Sequence, residues 1–282
     1  MEVDTSSDGY QIKNAKIPIL LALRKVADLK PHEETIPSDL NRLVGLLRQN
    51  PVLRHPLVAD KNTGLVLDGT HRLAAITRLG CQLAPCALID YQDPKVRVER
   101  WFRTIQGTTL EGFTPRILSM GPKRETSSRA EKSLLSRECC ASLEDVKSCL
   151  VFPARDKDPL NLARASFEIE RMARDSQLGI VYDDTKTVPS SNGFVLSTVC
   201  MEKQEILEVS SRHHVFPPKT TRHIIPSRPL GLAVPLAWLM ETRPDRSQEK
   251  FLKHLRAKKM IRQPEGSWVW SRRYQEEIFV FE

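Results

Sequence analysis

The densest chemistry in this chain sits in five consecutive residues, Asp68, Gly69, Thr70, His71 and Arg72. The apolar run Leu65-Val66-Leu67 before them reads as a strand, and the segment from His71 to Leu79 reads as a helix. The turn between the two presents unpaired backbone N–H groups, and the helix dipole adds to their pull on an anion. Gly69 lets the backbone approach closely, Thr70 offers a hydroxyl, and Arg72 is able to grip phosphate oxygens in pairs. Asp68 is placed to orient a metal-bound water or the reacting group. Spacing alone fits an ordinary strand-to-helix turn with an exposed arginine equally well.

Two further clusters and one aromatic residue carry groups of interest. Pro31-His32-Glu33-Glu34 precedes the first helix, where a carboxylate ordinarily makes a favourable dipole contact. In Phe216-Pro217-Pro218-Lys219-Thr220-Thr221-Arg222-His223, two prolines stiffen the approach to a short run of cations and hydroxyls. Taken alone, that run is a solvated basic loop. Trp101, also taken alone, reads as a core tryptophan.

The elements that must position these residues follow from periodicity. Ser38 is the expected N-cap of a helix carrying Leu40, Leu43, Val44, Leu46 and Leu47, which Asn50-Pro51 ends. Pro56 to Ala59 and Leu65 to Leu67 read as strands joined by a turn at Lys61-Asn62-Thr63-Gly64. Gly80 closes the helix that starts near His71, and Ala84 to Asp90 reads as a buried strand. The sum is an α/β arrangement with a phosphate-sized opening at one helix N-terminus. Beyond Gly107 the pattern loosens, and residues 121–148 read as an exposed insertion rich in Ser, Lys, Arg and Glu. Leu160 to Ala173 and Gln248 to Lys258 read as helices. Phe194 to Cys200, Ile206 to Val209 and Ile278 to Phe281 read as strands.

Composition sets broad limits. With 282 residues and 40% apolar content, the chain is long enough for one large domain or two modest ones. A net charge of +8 suits a phosphate-bearing ligand without demanding one. The six cysteines, at 81, 86, 139, 140, 149 and 200, form no CxxC pair, so free thiols in a reducing compartment are expected. Residues 1–14 lack the apolar run of a signal peptide, and Ile17 to Leu23 is far shorter than the about 20 residues that cross a bilayer. A cytoplasmic protein that does not enter the membrane is expected.

A resemblance goes further. The stretch VLDGTHRLAAITRLG, Val66 to Gly80, resembles the nucleotide-binding motif of the ParB/sulfiredoxin superfamily. Sulfiredoxins place a catalytic cysteine in this turn; Thr70 stands there instead, which removes that thiol chemistry. The His32-Glu33 pair followed by Asp68-Gly69-x-His71-Arg72 is similar to the free L-serine kinases of this superfamily. Those kinases include an archaeal ADP-dependent enzyme and the one serving staphyloferrin B biosynthesis. Their Pro-Pro-Lys-x-Thr-Arg-His loop matches Pro217 to His223, their stretch after that loop matches Leu230 to Leu239, and their active-site tryptophan matches Trp101.

The resemblance implies a mixed α/β (α+β) protein. A ParB/sulfiredoxin-like nucleotide-binding domain would span residues 1–110, and a mixed α/β substrate domain over 111–282 would complete the active site. It implies Glu33 as catalytic base, with Glu34 its unexcluded neighbour. Asp68, Gly69, Thr70, His71, Arg72 and Trp101 would serve the nucleotide, and Lys219, Thr221, Arg222 and His223 the substrate or product. The implied reaction is phosphoryl transfer from ATP or ADP, with Mg2+, to free L-serine. The choice of donor, the metal-holding groups and the oligomeric state stay open. The alternative is a ParB-like DNA-binding or nucleotide-responsive regulator. It is disfavoured because the basic residues are scattered and no helix-turn-helix follows the first domain.

Overall fold

Proline at the start of a helix loses nothing, because its missing N–H would have no partner there. Pro37 accordingly opens α1 (Pro37–Gln49), with Ile36 as the flanking residue and Val44 and Leu47 buried. Ser38, expected as the cap, therefore lies inside the first turn. The computed structural model describes residues 9–241 and 243–282, so residues 1–8 of the polar amino-terminal stretch lie outside the described residues. The chain divides into two compact units, Met1–Arg97 with His223–Glu282, and Val98–Arg222.

The first unit is built on a mixed six-stranded sheet. In chain order its parts are β1 (Tyr10–Ile12), β2 (Ile19–Lys25) and β3 (Lys30–Pro31), then a short β4 (Val52–Leu53) outside this sheet. After these come β5 (Leu57–Asp60), β6 (Leu65–Asp68), α2 (Thr70–Arg78) and β7 (Leu83–Ile89). The spatial order is β1-β2-β7-β5-β6-β3. All seven residues of β7 are buried, the unbroken apolar run of a strand covered on both faces. The turn between β5 and β6 lies where expected. Asp60 Oδ2 accepts from the Thr63 amide at 2.9 Å and hydroxyl at 2.6 Å, Oδ1 accepts from the Tyr91 amide at 3.0 Å, and Gly64 takes φ 73°.

The carboxy-terminal residues return to this unit, so the division differs from one after residue 110. Val234–Pro235 pairs antiparallel with β4, and the Gln248 side chain on helix Pro244–Ala257 accepts from the Leu23 amide of β2 at 2.9 Å. Ser227–Leu230 pairs parallel with the terminal strand Glu277–Phe281, which also pairs antiparallel with Met260–Gln263.

The second unit holds an antiparallel six-stranded sheet, ordered Lys123–Glu125, Cys149–Pro153, Cys139–Glu144, Gly193–Thr198, Phe102–Gln106, Gly179–Asp183. Residues 121–148 are therefore not an exposed insertion. They supply an edge strand, the helix Ser127–Leu135 capped by Thr126, and a central strand whose Cys139, Cys140, Ala141 and Leu143 are buried. Each element is too short to show its period through its polar outer face. Ile206 to Val209 is likewise helical rather than extended. A reciprocal cap between Glu202 and Glu205 starts the helix Lys203–Ser211, and Ile206 and Val209, three apart, share its buried side.

Two glycines test these local assignments. Gly45 in α1 has open space where a Cβ would go, so Gly45→Ala is expected to gain about 0.5–1 kcal/mol. At Gly64 a Cβ would meet the Asp28 carbonyl oxygen at positive φ, so Gly64→Ala is expected to lose about 1–3 kcal/mol. Urea midpoints of the two variants should move in opposite directions.

Candidate functional site

In the first unit the chain leaves β6 through Gly69, which takes φ 104° and stands as the N-cap of α2 without any side-chain cap. A Cβ there would come within 2.9 Å of both Arg72 Nη2 and Leu57 Cδ2, so only glycine allows the turn and the arginine to coexist. Arg72 folds back over the turn. One guanidinium nitrogen donates to the Pro56 carbonyl and another lies 3.0 Å from Asp68 Oδ2.

The same carboxylate oxygen accepts from Arg228 at 2.5 Å, across 160 residues of sequence. Burial alone would push the Asp68 carboxyl up, but the Arg72 and Arg228 guanidiniums outweigh it and hold the group well below the usual carboxylate range. Arg228 is held in turn by Glu276 Oε1 at 2.6 Å and the His223 carbonyl at 3.4 Å. Asp68 thus clamps two arginines. No motif or spacing singled out Arg228, since its partner lies in the other half of the sequence.

The expected base lies in the same unit. β3 runs parallel to β6 with Lys30 opposite Leu65 and Pro31 opposite Val66, and His32 and Glu33 follow directly on its end. His32 is buried, and its Nδ1 lies 2.5 Å from the Val66 carbonyl, which can only accept. The proton therefore sits on Nδ1, and Nε2 faces Glu33 Oε1 at 3.7 Å. Glu33 itself is largely shielded, with 13% of its side chain exposed. The His32 ring meets His223 edge-on at 4.9 Å, and His223 Nε2 lies 2.9 Å from the Tyr91 hydroxyl. His71 Nε2 accepts from the Ile36 amide at 2.9 Å, which ties the start of α2 to the start of α1. Glu33, Asp68 to Arg72 and His223 are thus brought together.

Trp101, Lys219, Thr221 and Arg222 belong to the second unit, and there they form a second group. The Trp101 indole N–H donates to the Thr221 carbonyl at 3.0 Å. Lys219 Nζ sits 5.1 Å over the Trp101 ring and 5.7 Å over Tyr182, while the Arg222 guanidinium lies 5.5 Å over Trp101. Arg222 also donates to Glu99 and Asp184, each at 2.7 Å.

Behind this platform lies a buried pair that sequence reading missed. Arg103 donates to Glu170 at 2.9 Å, to the Trp101 carbonyl at 2.8 Å and to the Lys219 carbonyl at 2.9 Å. Glu170 also accepts from Arg174 at 2.8 Å and from the Tyr182 hydroxyl at 2.5 Å. Burial first, then the Glu170 charge, pushes the Tyr182 phenol up. The Lys219 loop is therefore an ammonium-on-indole platform with a charged support rather than a loose basic segment.

Among the described residues no three His, Cys, Asp or Glu side chains gather as a metal cage, and no helix is long and apolar enough to cross a membrane. No protein-family model matches the chain. It is 24% identical over 238 residues to the ADP-dependent L-serine kinase SerK of Thermococcus kodakarensis, covering 80% of this chain and 95% of that protein. It is 30% identical over 197 residues to a ParB-like protein of Sulfolobus acidocaldarius, covering 70% and 86%. A solved free serine kinase in complex with AMP superposes with a TM-score of 0.67 at 23% identity, covering 80% of this chain and 97% of that one; the two share a fold.

Two measurements probe these groups. Removing the Glu170 charge leaves Arg103 buried without its counter-ion, so Glu170→Gln is expected to cost about 3–5 kcal/mol. In contrast Glu168→Gln, which breaks an exposed pair with Arg171, should cost under about 1 kcal/mol in the same urea titration. His55 is pushed from 6.5 down to about 4, first by burial, then by the Arg72 and Arg54 guanidiniums, against the pull of Asp68. The folded state thus keeps His55 neutral where the unfolded chain protonates it. That contribution is complete above pH 6.5 and drains away as pH falls toward 4. His55→Gln should flatten the unfolding free energy across this window.

Proposed function

The chain belongs to the ParB-like protein family, and from that premise we propose that it moves the terminal phosphoryl group of ATP or ADP onto the hydroxyl of free L-serine, giving O-phospho-L-serine. The observation that supports this reading is the set of contacts around the end of β6: His32, next to the shielded Glu33, lies against the His223 ring and on the carbonyl of Val66, two residues before Asp68 and the glycine turn. The likeness to a named serine kinase over nearly its whole length supports the same reading.

Phosphoryl transfer asks little covalent work of a protein; alignment and neutralisation of charge supply most of the rate. The backbone amides of the first turn of α2 and the Arg72 guanidinium take the phosphates. Asp68 and Arg228 fix Arg72 in the orientation that receives them. Glu33 accepts the proton of the serine hydroxyl as the new O–P bond forms and the bridging P–O bond of the nucleotide breaks. Lys219, Thr221, Arg222 and His223 serve the substrate or product phosphate, and Trp101 anchors Lys219 through its indole face.

Magnesium, when bound, neutralises charge on the phosphates and keeps mostly phosphate and water ligands. Among the described residues the carboxylates do not gather into a cage for it, and Asp68 is engaged by two guanidiniums. None of the steps above passes through the ion. The reaction is placed in the cytoplasm, where nucleotide, serine and reduced thiols coexist.

Incubation with L-serine, magnesium and ATP or ADP should yield O-phospho-L-serine by mass spectrometry. Glu33→Ala should lower turnover by about a hundredfold to ten-thousandfold, the usual cost of a lost general base. Wild-type turnover in that variant would remove Glu33 from the role. The ParB-like name of the 30% identical relative favours a second reading, a duplex-binding regulator. That reading predicts DNA affinity falling steeply with salt and no phosphoserine.

A further inference from the structure

The groups assigned so far hold phosphates and move a proton, and none of them receives the base of the nucleotide. Pro56 and Leu57 border the phosphate turn directly, since Pro56 accepts from Arg72 and Leu57 packs on Gly69. Just before them stand Arg54 and His55, and against both lies Trp270 from the carboxy-terminal hairpin. The His55 and Trp270 ring centroids are 5.4 Å apart at 42°, and the Arg54 guanidinium lies 5.0 Å over the indole. His55 Nδ1 accepts from the Gly231 amide at 3.3 Å, which fixes the imidazole in place.

Trp270 is 49% exposed and takes φ 53°, a left-handed conformation that a bulky residue adopts at a cost. The hairpin does not need it for anchorage. Val269, its neighbour, is the residue that turns inward and packs with Leu230, Ile278 and Val280. Trp268, its strand partner, and Trp270, in the turn that follows, stay exposed. A half-exposed indole, flanked by a guanidinium and an imidazole held neutral, presents a flat apolar surface against the two residues that lead into Pro56, the partner of Arg72.

We propose that Trp270, with His55 and Arg54, is the base subsite: it stacks the purine ring of an adenine nucleotide whose phosphates rest on the Gly69 turn. This deepens the kinase reading and rests on its nucleotide site. An indole matches the two-ring face of a purine, and a base stacked on an aromatic side chain binds more tightly without requiring any hydrogen-bond pattern. Arg54 adds to the stack through the same indole.

The test is calorimetric titration of the full chain and its variants with ADP and with inorganic pyrophosphate. Trp270→Ala should weaken ADP binding roughly fivefold to a hundredfold, the range for one stacked base, and leave pyrophosphate binding at the wild-type value. Trp270→Phe keeps a ring in the hairpin and should retain most of the ADP affinity, which guards against a folding defect. Undiminished ADP binding by Trp270→Ala, or equal losses for ADP and pyrophosphate, would overturn the subsite and leave the kinase reading standing. A wild-type chain that binds neither ligand would remove both.

Discussion

One carboxylate oxygen, Asp68 Oδ2, receives two guanidiniums, and the first unit is organised around that fact. Two cations so close together would repel each other without it, and each would drift from the place its other partners give it. With it, Arg72 stays folded over Gly69, while Arg228 joins the turn to Glu276 and to the His223 carbonyl. The strand Ser227–Leu230 and the terminal strand Glu277–Phe281 are thereby bound to the phosphate turn as well as to each other. Arg72 is thus oriented by a local carbonyl, that of Pro56, and by a carboxylate shared with a distant arginine.

The second unit repeats the device in drier surroundings. Arg103 and Glu170 are both almost wholly buried, and the arginine spends its remaining donors on the carbonyls of Trp101 and Lys219. Lys219 sits at φ 61°, so its ammonium is aimed at the Trp101 ring by a strained backbone that Arg103 holds. In both units a carboxylate holds an arginine that in turn reaches backbone carbonyls of the candidate cluster.

How much of this was legible in the sequence depended on range. The β5–β6 turn, the Gly69 turn, α2 and its closing Gly80 were readable, because each is decided by a few adjacent residues whose backbone preferences agree. The helix Lys203–Ser211 was misread because four apolar-flanked residues carry no period, and the deciding signal was the Glu202–Glu205 cap outside them. Residues 121–148 were misread because three short elements in succession dilute one another. Within the site, Glu33, Arg72 and Lys219 came from motif likeness. Arg228, Arg103, Glu170 and Tyr182 were invisible, since nothing in a one-dimensional string marks an ion pair that closes across tens or hundreds of residues.

The division of the chain also has a kinetic side. Val98–Arg222 is continuous, whereas the unit that carries the glycine turn is assembled from both ends of the polypeptide. During synthesis the continuous unit is complete as soon as Arg222 has left the ribosome. The turn at Gly69, made much earlier, must wait for Arg228 and for the strand that ends at Phe281 before its arginine is locked. The central unit is therefore complete well before the Asp68 carboxylate beside the Gly69 turn meets its long-range partner.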